Sequence, residues 1–242
     1  MKVLCVIPAR GGSKRFPGKN LMPISGKPVI SYTIQHALNA KFVDRIVVST
    51  DSDEIAEVAH AEGAAVIMRP PEISNDTAPI EDALRHVVYS LKKSDGYYPD
   101  IVVLPIANIV YRRDGLIDEA IQKLIDNPHL SSVITVFAVT QPPEWMKRIE
   151  GDILVPYMKC DKYRQQDLER RYLADGSVCA IRIEVLMDTE GRSGVHVFLG
   201  ENIGYLIQEH ISGTEIDHPE DVLTAEVLLE VIRRREAEKD KK

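Results

Sequence analysis

Four cations, Arg10, Lys14, Arg15 and Lys19, fall within the stretch IPARGGSKRFPGKN, residues 7–20, which contains no acidic side chain. Gly11, Gly12 and Gly18 lie in the same stretch. Glycine lets a backbone approach a ligand closely and turn N–H groups toward it, while clustered Arg and Lys side chains neutralise anions. Together they supply the chemistry for a phosphate-rich ligand, and four cations in so short a run suit a nucleoside triphosphate. The chain as a whole carries a formal net charge of -7, so its positive field is local.

Two familiar phosphate loops do not fit. A P-loop needs Gly, four residues, then Gly-Lys-Ser/Thr and a helix. Around Gly18-Lys19 those positions fall on Ser13 and Asn20, and Pro23 and Gly26 interrupt any helix after Lys19. The dinucleotide fingerprint Gly-x-Gly-x-x-Gly is absent after the first apolar run. A solvated basic turn is the plain alternative.

The elements that must position this loop can be read from periodicity. KVLCVIPA is a short apolar run ending at the glycines, the pattern of a buried parallel strand. Helical spacing from Val29 to Ala40, a strand in DRIVVST, a helix from Asp53 to Glu62 and a strand in AAVIM come after it. Next come a helix from Glu81 to Leu91, a strand in DIVVLPI, a helix in GLIDEAIQKLID and a strand in SSVITVFAV. Such alternation predicts an α/β fold with a doubly wound, mostly parallel sheet, in which ligands sit beyond the carboxyl ends of the strands. The Arg10 loop takes that place.

The alternation fails at about residues 141–175, a stretch rich in prolines and charges that carries Trp145, Tyr157, Tyr163 and Tyr172. An insertion into a single domain spanning residues 1–242 is expected. Exposed aromatic and arginine anchors suit an interface, so a dimerisation arm is expected, against the alternative of a subdomain packed on its own core. GSVCAIRI then returns as a strand, a helix runs from Pro219 to Arg235, and the tail RRREAEKDKK reads as a solvated helix end. The acidic balance argues against nucleic-acid and membrane binding. Three widely spaced cysteines, Cys5, Cys160 and Cys179, form neither a metal spacing nor a disulfide framework, which with no export signal places the chain in the cytoplasm.

The loop IPARGGSKRFPGKN resembles the signature of the acylneuraminate cytidylyltransferases, the CMP-sialic acid synthetase family that also activates related nonulosonic acids. The blocks VSTDSDEIAEVAHAEGAAVIMRPPEISNDTAPIEDAL, QQDLERRYLADGSVCAI and EIDHPEDVLTAE are similar to further blocks of that family, in the same order. The resemblance implies a Rossmann-like nucleotidyltransferase that joins CTP to a nonulosonic sugar acid, giving a CMP-sugar and pyrophosphate. The alternatives are a synthetase for another acid sugar such as Kdo or for another nucleotide, and, from a different class, a nucleotide-binding regulatory protein without turnover.

The family assigns roles by position. Arg10, Lys14 and Lys19 are the catalytic candidates on the triphosphate, with Arg15 beside them, and Ala9, Gly11, Gly12, Ser13 and Asn20 complete the loop side of the nucleotide pocket. Arg69 matches an arginine of the nucleotide site. In VVLPIANIVYRRDG, where many members carry a base-recognising glutamine, Asn108 is the amide candidate and Arg112 the basic one. Arg164, Gln165 and Gln166 match the block that holds the sugar acid, with a family arginine falling on Gln165. Asp217, with Glu215 two residues earlier, is the candidate for Mg²⁺, the implied cofactor, because this ion binds through one or two carboxylates plus phosphate oxygens. Asp217 otherwise caps the helix opening at Pro219. Asp51, after the second strand, is placed to reach the site, but DSDE reads as a helix start with Glu54 three residues on; Asp76-Thr77 matches the Asp-Thr block of the family, with the start of the helix after Pro79 as the plain alternative. The likeness also implies a homodimer.

Overall fold

The structure, a computed structural model, describes residues 1–239. In chain order its elements are β1 (Val3–Pro8), β2 (Pro23–Ile24), β3 (Lys27–Pro28), α1 (Val29–Leu38), β4 (Arg45–Thr50), α2 (Asp53–Ala61), β5 (Ala65–Met68), α3 (Ile80–Asp95) and β6 (Ile101–Leu104). They continue with α4 (Leu116–Asp126), β7 (Ser132–Ala138), β8 (Lys147–Glu150), β9 (Ile153–Pro156), β10 (Tyr172–Arg182), α5 (Ile183–Asp188), β11 (Ile203–Gln208) and α6 (Pro219–Lys239).

Seven strands form one sheet in the order β11-β7-β10-β6-β1-β4-β5. β1 pairs in parallel with β4 and β6, β4 with β5, and β7 with β11, while β10 runs antiparallel to both β6 and β7. The mostly parallel α/β sheet is therefore as expected. β1 shows why it is buried on both faces. Val3, Cys5 and Ile7 enter one core with Ile34, Ile55 and Ile121, whereas Leu4 and Val6 enter the other with Leu84, Val88 and Leu186. Each fully buried aliphatic side chain contributes about 1.5–3 kcal/mol.

A third cluster matters for the loop. Phe16 is buried with Ile24, Val110, Ile216 and Leu228, so the cationic loop is pinned at its middle against β2, the segment after β6, and α6. Its charged side chains flank this anchor and stay at the surface or in the cleft.

Neither α5 nor β11 was expected from the sequence, and the short β2–β3 pair and β8 were not expected either. β11 buries Gly204, Leu206 and Gln208 and exposes Ile203, Tyr205 and Ile207, so its hydropathy runs against its burial. The insertion contains the β8–β9 hairpin, and no residue from Lys147 to Arg170 is buried. The alternative of a subdomain with its own core is thus overturned, because a two-stranded ribbon has no second layer to bury against. α6 extends to Lys239, with Arg233 to Glu238 exposed, while residues 240–242 of the expected solvated tail lie outside the described residues.

Candidate active site

The carboxyl ends of three strands converge on one cleft. β1 delivers Pro8 and Arg10, β5 delivers Arg69, and β6 delivers Ile106, Ala107 and Asn108. Beyond β4, Asp51 lies in a shallower hollow that also includes Arg69. The cleft encloses about 790 Å³, counting solvent at its mouth. Its β1 and β6 walls are adjacent strands whose connections leave toward opposite edges of the sheet, the switch point at which open α/β sheets bind ligands.

Arg10, Lys19, Asn20, Arg69 and Asn108 all line this cleft, so five of the nucleotide candidates come together across 98 residues of sequence (108 − 10). Asn20 is buried; its Nδ2 donates to the Arg10 carbonyl at 3.2 Å, and its Oδ1 accepts no hydrogen bond within the chain. Arg69 donates from Nη2 to the Ser49 carbonyl at 3.0 Å, and its buried Nε has no partner. Burial lowers the Arg69 pKa, a shift opposed by Asp51 and reinforced by Arg10. Among the described residues Arg69 forms no ion pair within 4.0 Å, so the surface salt bridge is not its role here. Unmet polar groups that line a cleft can be met by water or by a ligand.

The glycine turn is not an open cradle. Asp51 Oδ1 accepts from the Gly11 N–H at 2.8 Å, and the Gly11 carbonyl accepts from the Ser13 N–H at 3.1 Å. Two of the three N–H groups from Gly11 to Ser13 are therefore spent on the fold. Gly11 is required for packing, since a Cβ there would stand 2.9 Å from Ser52 Cβ. Ala9 is buried, Lys14 is exposed at the rim, and neither they nor Gly11 to Ser13 line the cleft.

Each loop cation meets a carboxylate. Arg10 and Lys14 both pair with Asp76, while Arg15 (3.1 Å) and Lys19 (2.6 Å) pair with Asp217. Burial alone would raise the Asp217 pKa, but the Lys19 bond, its charge and Arg15 outweigh it and hold the carboxyl below its ordinary range. The segment carrying Asp217 is set by Asn108, whose Nδ2 donates to the Ile216 carbonyl and to Asp217 Oδ1, and by an antiparallel bridge between Ile109 and Glu215. Glu215 is held up in pKa by burial and then by the Asp217 charge. The two acids thus lie close enough for their charges to interact.

Several helix-start readings are corrected. Ser52, not Asp51, caps α2, accepting from the Ile55 N–H, because Asp51 is already turned toward Gly11. Asn75 Oδ1 accepts from Thr77 N, Thr77 Oγ1 and Ala78 N, which frees Asp76 to face the loop. Asp221 Oδ2 accepts from the N–H groups of Asp217 and His218, so Asp217 does not cap α6.

Arg112 is also corrected. It is 1% exposed, and it donates to the carbonyls of Ile106, Ile109 and Ser177 and to Thr33 Oγ1. Burial lowers its pKa to about 10. Four of its five N–H donors tie the segment after β6 to β10 and α1, and it does not line the cleft.

Gln165 and Gln166 line a different cavity with Val139, Pro142 and Arg171, at the base of the insertion. Arg164 pairs with Asp167. Within one chain, therefore, these three do not join the cleft. An apolar chamber does adjoin it, sharing Ile80 and Ile106 and lined further by Leu104, Ile134, Val178 and Phe198. Gly176 lines the chamber: its φ of +69° suits glycine, and a Cβ there would stand 2.5 Å from the Cδ1 of Ile106, which borders both spaces. Sequence reasoning did not find this chamber, because its walls come from β6, β7 and β10 and no motif joins them.

The sequence pattern of the family described as Cytidylyltransferase matches residues 4–143, more than half of the chain. This chain belongs to the cytidylyltransferase family. It is a nucleotidyltransferase, and the match covers every cleft-lining residue. A CMP-N,N'-diacetyllegionaminic acid synthase of Legionella pneumophila is 30% identical over 96% of this chain and 97% of its own length. An N-acylneuraminate cytidylyltransferase of Streptococcus agalactiae is 32% identical over 74% of this chain, which spans 43% of that protein. Among solved structures, a CMP:2-keto-3-deoxy-manno-octonic acid synthetase complexed with CTP superposes with a TM-score of 0.72 over 95% of this chain and 98% of its own, at 24% identity, a likeness of fold.

Proposed function

We propose that this cytidylyltransferase activates a nonulosonic sugar acid with CTP. The anomeric hydroxyl attacks the α-phosphorus, a P–O bond forms, the bond to the β-phosphate oxygen breaks, and pyrophosphate leaves with its electron pair. The hydroxyl proton goes to solvent or to a group of the bound substrates. The observation that carries the reading is the cleft at the strand ends, where Arg10, Lys19 and Arg69 stand beside the unsatisfied Asn20 Oδ1. Preorganised cations of this kind stabilise charge developing on the leaving group without reorganising during the reaction. Asn20 Oδ1 suits a donor of the base or ribose, and Arg10 and Lys19 suit the phosphates.

The apolar chamber supports placing the sugar acid's less polar substituents beyond Ile106, next to the nucleotide. Asp217 and Glu215 are our candidates for Mg²⁺. Their hard oxygens suit the ion, which commonly binds through one or two carboxylates and completes its shell from phosphate and water. When bound, Mg²⁺ would neutralise phosphate charge as pyrophosphate departs. The Arg15 and Lys19 contacts keep Asp217 ionised in readiness.

We further place a homodimer contact on the insertion, where Ile149 and Leu154 of the β8–β9 arm and Tyr163 beyond it are 77%, 68% and 92% exposed. Apolar groups so exposed are costly unless covered. Such a contact would also give Gln165 and Gln166 a route to a neighbouring site. Three free cysteines fit a reducing cytoplasm, and among the described residues no helix is long and apolar enough to cross a membrane.

Pyrophosphate release with Mg²⁺, measured over CTP, UTP, GTP and ATP and over sialic, legionaminic, pseudaminic and Kdo acids, tests the reading. Release with CTP and one of the nonulosonic acids supports it. Release with Kdo alone, or with another nucleotide, redirects the substrate assignment, and CTP binding without release from any acid contradicts turnover.

A further inference from the structure

Asp76 is the single acidic side chain among the described residues lining the cleft, against three cations, Arg10, Lys19 and Arg69. A carboxylate facing a site for a polyanion opposes its ligand, so its presence there requires a reason. Its contacts supply one. Asp76 Oδ1 accepts from Arg10 Nη1 at 2.6 Å, and Oδ2 pairs with Lys14 Nζ at 2.5 Å. Both oxygens are therefore occupied by the very side chains that the triphosphate needs.

The contact is built rather than incidental. Asn75 Oδ1 gathers the N–H groups of Thr77 and Ala78 and the Thr77 hydroxyl, and Asn75 Nδ2 donates to the Glu72 carbonyl at 2.8 Å. This turn relieves Asp76 of any capping duty and aims it across the cleft from the segment between β5 and α3 to the loop after β1. The Lys14 hydrogen bond, then Arg10, holds the Asp76 carboxyl below its ordinary pKa, so it stays anionic at neutral pH.

Resting on the reading that these cations hold the triphosphate, we propose that Asp76 is an internal counter-anion. It occupies Arg10 and Lys14 between turnovers, yields them to CTP, and takes them back as pyrophosphate departs. Arg10 and Lys14 then exchange one anionic partner for another instead of being stripped bare. Affinity for CTP is lowered, and release of pyrophosphate is eased to match. Asp76 acts through the cations and touches no reacting atom, so it is a positioning residue.

The test compares the full chain with Asp76→Asn and Asp76→Glu. Pyrophosphate affinity is measured by calorimetry at two salt concentrations, together with product inhibition and the KM for CTP. Asp76→Asn is expected to bind pyrophosphate roughly three- to tenfold tighter, the range a partly exposed ion pair commands. It should lower the KM for CTP and strengthen product inhibition, while Asp76→Glu restores values near wild type. Both gains should shrink at high salt. Unchanged or weaker pyrophosphate binding in Asp76→Asn, with wild type binding normally and both proteins melting alike, overturns the proposal. Failure of wild type and Asp76→Asn alike to bind pyrophosphate or CTP overturns the phosphate reading of the loop, and the counter-anion with it.

Discussion

The cationic loop and the β8–β9 arm are opposite solutions to exposure. The loop keeps its charged side chains outside, yet Phe16 is buried beneath them and each cation has a carboxylate partner. The arm keeps apolar side chains outside and buries no residue from Lys147 to Arg170. The first region is complete within one chain apart from its small-molecule ligand. The second has no core of its own within the chain, which is why we propose it as the homodimer contact. Preorganisation is thus carried by the loop.

Breaking the loop should have the largest effect. Arg10→Ala is expected to cut kcat/KM for CTP by about 10²–10³, the cost of removing one preorganised charge donor, with a melting temperature close to wild type. Steady-state kinetics and a thermal melt on the same preparation check both halves. Arg112→Ala should invert that pattern. Removing a buried guanidinium that serves three carbonyls and a hydroxyl should cost about 3–5 kcal/mol of stability by urea titration.

Leu154→Glu sharpens the other side of the comparison. It should weaken self-association at least tenfold by analytical ultracentrifugation while leaving the melting temperature of the monomer unchanged, since the side chain supports no core of its own. Glu215→Gln should have the smallest effect. The folded-state pKa of Glu215 lies above its unfolded value, because burial and Asp217 both oppose ionisation. Ionised Glu215 therefore disfavours the fold, and its neutral form contributes stability that is fully present below the unfolded pKa and is lost as pH rises through the folded one. Without Mg²⁺, Glu215→Gln should melt about a degree or two higher at neutral pH, and the gain should vanish in acid. A lower melting temperature at neutral pH would show that the carboxylate is a stabilising partner.

How much was legible in advance depends on the range of the contacts involved. β1, β4, β5, β6 and β7 and the helices between them are encoded in local apolar periodicity, and the loop in cations packed into a few residues. β11 is not, because Ile203, Tyr205 and Ile207 point outward while Gly204 and Gln208 are buried, against their hydropathy. Arg112 and Arg10 are the same residue type after a strand, yet one is buried against carbonyls at positions 106, 109 and 177 and the other faces a cleft. That distinction depends on contacts up to 79 residues away. The bond from Arg10 to Asp76 spans 66 residues, so a local reading leaves Asp76 between the family's Asp-Thr block and a helix start. Asp51 shares that fate for the same reason, its partner Gly11 being 40 residues distant.

The most direct test of the central claim is calorimetry of CTP and CMP, with Mg²⁺ present, on wild type and on Lys19→Ala. If the cleft cations hold the triphosphate, wild type binds CTP at least about a hundredfold tighter than CMP, and the difference collapses in Lys19→Ala. Equal binding of CTP and CMP by wild type would contradict the account, since the loop would then hold no phosphate beyond the first.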